Sequence, residues 1–150
     1  MRTPTLYTIG FTEVSAQSFF ATLRQAGVKR LIDTRLNNKS QLAGFAKKQD
    51  LEFFARELLG APYEHQPLLA PTPELLDQYK KKKGAWDDYA QQYRALITAR
   101  RIEQLYTPEQ LDGACFLCSE HQPHFCHRRL AAEYLQAAGA GLQVAHLVPP

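Results

Sequence analysis

The chain has 150 residues, a formal charge of +3 and an ordinary apolar share, which suits one domain built on one core. No run approaches the ~20 consecutive apolar residues of a membrane span, and the first residues carry neither the h-region nor the cleavage site of a secretory signal. Three cysteines are too few for a disulfide scaffold, so the expectation is a cytoplasmic protein in a reduced compartment with at least one free thiol and no membrane partner.

Residues 6–9 (Leu-Tyr-Thr-Ile) are short and β-prone, and Gly10 closes them in a tight turn. Ser15 then caps a run in which Phe19, Phe20 and Leu23 share one helical face, ended by Gly27. Residues 28–33 predict a second strand, and the polar stretch 35–40 predicts a loop. Leu51, Phe54, Ala55 and Leu58 recur at i, i+3, i+4 and i+7, so a second helix runs to Gly60. Residues 61–65 predict a third strand that Pro62 confines to a strand start or an edge. Thr72 and Pro73 are an N-cap and N1 pair opening a helix with Leu75, Leu76 and Tyr79, closed by Gly84. Trp86, Tyr89, Ala90, Tyr93, Leu96 and Ile97 continue at helical spacing, in a helix ending before Pro108. Residues 113–118 (Gly-Ala-Cys-Phe-Leu-Cys) are almost wholly apolar, as an interior strand covered on both faces requires. Leu130, Ala131, Tyr134, Leu135 and Ala138 mark a last helix stopped by Gly139, and residues 142–148 a last strand. This order predicts an α/β fold: a three-layer sandwich with a mainly parallel, Rossmann-like sheet, right-handed crossovers and a helical insertion.

In such a sheet ligands bind outside the carboxyl ends of the strands, where Gly10, Asp33, Arg35, Cys118, Glu120 and His146 fall. Residues 118–129 are the most unusual in the chain, with two thiols, three imidazoles, one carboxylate and two guanidiniums. A last helix that begins near Phe125 or Cys126 favours an anion at its N-terminus and lowers the pKa of the Cys126 thiol, and Arg128 suits bidentate binding of phosphate or carboxylate. His127 shares the stripe of Leu130, Ala131 and Tyr134 and so points back toward the sheet. Cys115 and Cys118 have metal-pair spacing, but on a strand they face opposite sides; Cys115 reads as core, and no metal or cofactor is assigned. Cys118 and Cys126 are each readable as structural or reactive, and His127 as a core residue or a site wall. The run from Lys80 to Lys83 reads as a solvated helix end, and Trp86, Tyr89 and Tyr93 as core.

Tyr-Thr-Ile-Gly at 7–10, Ile-Asp-Thr-Arg at 32–35, and Leu-Cys-Ser-Glu at 117–120 followed by Cys126, His127 and Arg128 together resemble the family called domain of unknown function 488. Leu-Ala-Pro-Thr at 69–72 followed by a helix and Trp86 is similar to one branch of it. The resemblance covers nearly the whole chain and implies an α/β fold of bacterial or archaeal type with a site at Asp33, Arg35, Cys118, Glu120, Cys126, His127 and Arg128. Phe11 stands where members often have histidine, so no role carried by that histidine transfers. The leading expectation is an enzyme acting on a phosphate- or carboxylate-bearing small molecule or nucleotide. In it Arg35 and Arg128, with the Gly10 turn, hold the anion, Asp33 or Glu120 handles protons and a thiolate at Cys118 or Cys126 is the nucleophile. The alternatives are a non-catalytic module binding nucleic acid or a phosphorylated ligand through Lys47, Lys48, Lys80–Lys83, Arg100 and Arg101, and a rhodanese-like sulfurtransferase suggested by the Asp-x-Arg strand end.

Overall fold

Among the described residues five short strands make one sheet: β1 (Thr5–Gly10), β2 (Arg30–Asp33), β3 (Tyr63–His65), β4 (Ala114–Cys118) and β5 (Gln143–His146). In this computed structural model, which describes residues 3–37, 44–139 and 141–150, the spatial order is β3-β2-β4-β1-β5. Every pairing is parallel. β4 is central and buried along its whole length, which is why its sequence is an unbroken apolar run. β3 lies at the edge, where Pro62 costs no ladder bond on its outer side. Parallel register stacks the carboxyl ends together, with Gly10 beside Cys118 and Asp33 beside both Leu117 and His65.

Six helices among the described residues cover the two faces. Helix α1 (Ala16–Ala26) begins at Ser15, whose hydroxyl accepts from the Ser18 N–H, and ends at Gly27 with a φ of 73°. With α2 (Lys48–Phe54), which runs on through a π turn to Leu59, it packs Phe19, Phe20, Leu23, Leu51 and Ala55 against Ile9, Leu31, Cys115 and Leu117. On the other face α3 (Pro73–Lys80), α4 (Trp86–Ala99), α5 (Pro108–Leu111) and α6 (His127–Ala137) bury Leu75, Tyr93, Ile97, Leu130 and Leu135 against Leu6, Ile32 and Phe116. No helix among the described residues is long and apolar enough to cross a membrane.

The structure trims several expected elements. β2 starts at Arg30, because the Val28 N–H still bonds the Leu23 carbonyl at the end of α1. β5 ends at His146, two residues short of Val148, ahead of Pro149 and Pro150, which have no N–H to give a ladder. The helix expected to run almost to Pro108 ends at Ala99, where Arg101 turns left-handed with a φ of 54°, and beyond a 3-10 turn at Ile102–Gln104 Thr107 builds a capping box with Gln110 that starts α5. The expected loop at 35–40 is described only as far as Asn37; the rest lies outside the described residues.

Candidate functional site

The end of β2 is a closed polar knot. Asp33 is fully buried, and its Oδ1 accepts from the Arg35 backbone N–H at 3.1 Å and from Nε at 2.9 Å. Its Oδ2 accepts from Arg35 Nη2 at 2.7 Å and from the Tyr63 hydroxyl at 2.6 Å. A carboxylate so fully engaged orients its guanidinium and has no free oxygen for proton transfer. Asp33 is therefore placed as a positioning group. Arg35 also donates to the Ala46 carbonyl and lies over the Phe11 ring at 4.9 Å, while its Nη1 has no hydrogen-bond partner among the described residues. Phe11 thus serves as the floor beneath Arg35.

At the end of β4 the Cys118 and Cys126 sulfurs are in bonding contact across a separation of eight residues. The expectation of separate thiols gives way here to a joined pair, and Cys115 is the free cysteine. It is buried among Ile9 and Leu31 on the opposite face, and burial pushes its thiol pKa far up. Behind the pair sits Arg128, with no exposed surface, donating from Nη1 to Cys118 Sγ at 3.2 Å and to the Glu120 carbonyl, and from Nη2 to the His121 carbonyl at 3.2 Å. Burial pushes its pKa down to about 10, so it stays cationic at neutral pH. The guanidinium expected to grip an anion instead holds the 118–121 loop against the sheet. A Cβ on Gly10 would lie 1.5 Å from the Glu120 carbonyl oxygen and 3.0 Å from Arg128 Nη1. The N–H groups of Phe11 and Thr12 already donate to the Ser119 carbonyl. Gly10 therefore gives the loop room to pass and offers no anion cradle.

His127 opens α6 directly after Cys126, the N-cap, which uses no side-chain capping bond. Its Nε2 lies 2.8 Å from the Thr34 carbonyl and 3.0 Å from Thr34 Oγ1, whose own proton goes to the Leu117 carbonyl. Since a carbonyl only accepts, Nε2 carries the proton and Nδ1 keeps a lone pair. Burial lowers the His127 pKa to about 4, so the ring is neutral at physiological pH.

These elements enclose a hollow of about 250 Å³ whose wall includes Arg35, Lys80, Tyr89, Cys118, Glu120, Phe125, Cys126 and His127. Lys80 and Glu120 pair across its rim at 2.9 Å, both about half exposed. The structure thus brings Arg35, Cys118, Glu120, Cys126 and His127 to one cavity and leaves Asp33, Gly10 and Arg128 behind its wall. Arg35 and Arg128 do not converge there; among the described residues the second cation is Lys80.

The model of the domain of unknown function DUF488 matches residues 15–135. The chain belongs to this family. No curated protein and no solved structure gives a significant match. The matched span includes every DUF488 cavity residue named above and begins just after Gly10 and Phe11. Sequence reasoning missed three contributors to this DUF488 site. Lys80 was read as solvated helix end, and nothing in one sequence marks which lysine of a run of four turns toward Glu120. Tyr89 sits at a core position and also faces the hollow. Thr34, wholly buried, was visible only as the middle of Asp-x-Arg, yet it fixes the tautomer of His127.

Proposed function

We propose that this DUF488 chain is an enzyme acting on a small phosphate- or carboxylate-bearing molecule bound in the cavity at the carboxyl edge of the sheet. The observation that carries this reading is the composition of one small wall. It has a cationic side, Lys80 with Arg35, and a reacting side, Glu120 with the two sulfurs. Pro71, Leu76, Tyr89 and Phe125 add apolar surface between them. The volume is near the ~300 Å³ lower end of ligand pockets, which favours a compact substrate over a polymer. Lys80 and Arg35 orient the anion, and Glu120 at the exposed rim moves protons.

The alternatives have less support. Arg100 is committed to the Leu68 and Ala70 carbonyls, and Lys47 and Lys48 belong to the face of α2, opposite Lys80, so the basic residues do not share one nucleic-acid surface. For sulfur transfer, Cys118 needs a cradle of N–H groups. The loop after it turns the Glu120 and His121 carbonyls inward to Arg128 instead.

Thermal shift with inorganic phosphate, a nucleoside monophosphate and a dicarboxylate tests the reading, followed by chromatography of whichever probe stabilises the protein. Stabilisation by at least one probe, weakened in Lys80→Ala, together with conversion of that probe is the expected result. Stabilisation without conversion indicates a binding module, and no stabilisation by any of the three overturns the proposal.

A further inference from the structure

We infer that the reduced Cys118 and Cys126 thiols form, with His127, a binding site for one soft transition-metal ion such as zinc(II), its fourth coordination position open to the cavity. This deepens the reading above at the reacting side of the wall, and its ligands are the chain's own side chains.

Two geometric observations carry it. The two sulfurs and a ring nitrogen of His127 all lie within 4.8 Å of one another. With zinc bonds of about 2.3 Å to sulfur and 2.0–2.1 Å to nitrogen, tetrahedral ligand atoms stand about 3.5–3.8 Å apart, so side-chain rotation of the order of an ångström completes the site. Second, a ligating imidazole characteristically donates its other N–H to a carbonyl, which fixes the ring and its tautomer. His127 does this, with Nε2–H held by the Thr34 carbonyl and the Nδ1 lone pair left over.

The ligand set is also incomplete in an informative way. Two cysteines and one histidine leave a tetrahedral ion one vacant position, the pattern of catalytic zinc rather than of a closed structural site. All three ligands line the hollow beside Glu120, so a water or the anionic substrate reaches that position, and Glu120 is placed to take a proton from metal-bound water. The joined form of the pair cannot ligate. A phosphine supplies two electrons and one water molecule the two protons and the oxygen with which the phosphine leaves as its oxide, so the S–S bond is cleaved to the two thiols that bind.

Cobalt(II) titration of the phosphine-reduced, chelator-treated protein tests the inference. The expected result is saturation at one equivalent, with tetrahedral d–d bands, a sulfur-to-cobalt charge-transfer band and displacement by zinc. Cys118→Ser and Cys126→Ser should each abolish the charge-transfer band or halve it. His127→Ala should weaken binding by more than about 100-fold, beyond the usual cost of losing an outer-shell partner. Circular dichroism of each variant confirms folding, and the wild-type titration decides the matter if a variant fails to fold. Absence of a one-equivalent complex in the wild type, or bands that survive both serine variants, overturns it. Phosphate binding to the metal-free protein is scored separately, so cobalt binding without anion binding sinks only the substrate reading, and the reverse sinks only the metal site.

Discussion

Two hollows lie on opposite faces of the sheet, and the larger of this pair is chemically the poorer. Between α1 and α2 lies a space of about 400 Å³ lined by Phe20, Phe45, Phe54 and Leu58, with Arg24 as its one charged wall residue. That guanidinium is committed to the Leu58 carbonyl at 2.8 Å. The smaller hollow at the carboxyl edge has two cations, a carboxylate, two sulfurs and an imidazole within its wall. Volume therefore does not locate function here; strand direction does. Parallel strands deliver their polar ends to one rim, while the mid-strand positions facing α1 and α2 are filled by packing.

The comparison can be broken most forcefully from the apolar side. Phe20 is 5% exposed and touches Phe19, Phe45 and Phe54 edge-on. Phe20→Ala should cost about 4 kcal/mol in urea unfolding, the usual range for a buried phenylalanine. Phosphate binding at the other face should be unchanged in the molecules that remain folded. A parallel loss of binding affinity would mean that the two hollows are coupled.

At the carboxyl edge the largest effect should come from a single methyl group. Gly10→Ala drives its Cβ into the Glu120 carbonyl, which is main chain and cannot swing aside. The expected loss is about 3 kcal/mol, the upper end of ordinary overpacking. Unlike Phe20→Ala, it should also displace Glu120 and Arg128 and abolish anion binding. Retained binding would show that the loop closes the cavity independently of β1.

A pH titration separates the faces again. With Cys118 and Cys126 joined, His127 binds its proton with a pKa of about 4, against 6.5 when unfolded. Between those values the unfolded chain holds more protons, so stability rises with pH and is lost as pH falls from 6.5 toward 4. From pH 7 to pH 5 the loss should be about 2 kcal/mol. His146, also depressed by burial, adds to it in the same direction. His127→Gln should flatten most of this slope, whereas Phe20→Ala should shift the curve without changing its shape.

What could be read in advance follows the same division. The strand and helix order was legible because apolar periodicity and caps such as Ser15 and Thr72 are local signals. So was the convergence of Cys118, Cys126 and His127, since the β4–α6 connection is short. The roles of individual polar groups were not legible, because they depend on partners distant in sequence. Arg128 looked like an anion ligand until the Glu120 and His121 carbonyls were seen to occupy it, and Asp33 like an acid until Tyr63 and Arg35 filled its oxygens. The pairing of the two sulfurs was likewise hidden, since a count of three cysteines gives no partner for any of them.

The smallest effect on stability should come with a selective effect on binding. Lys80 meets Glu120 in a half-exposed pair, and such pairs contribute less than about 1 kcal/mol, so Lys80→Ala should leave the unfolding midpoint nearly unmoved. If Lys80 supplies one charge-assisted contact to the ligand, affinity for phosphate should fall about 10-fold, equivalent to about 1.4 kcal/mol. Lys81 is the matched control: it pairs with Asp77 one turn back on α3 and is not part of the cavity wall. Lys81→Ala should leave phosphate affinity within about 2-fold of the wild type in 0.15 M salt, where distant exposed charges are screened. Equal losses from the two variants would reveal a diffuse basic surface, and the contrast between a chemically specific hollow and an apolar one would lose its cationic half.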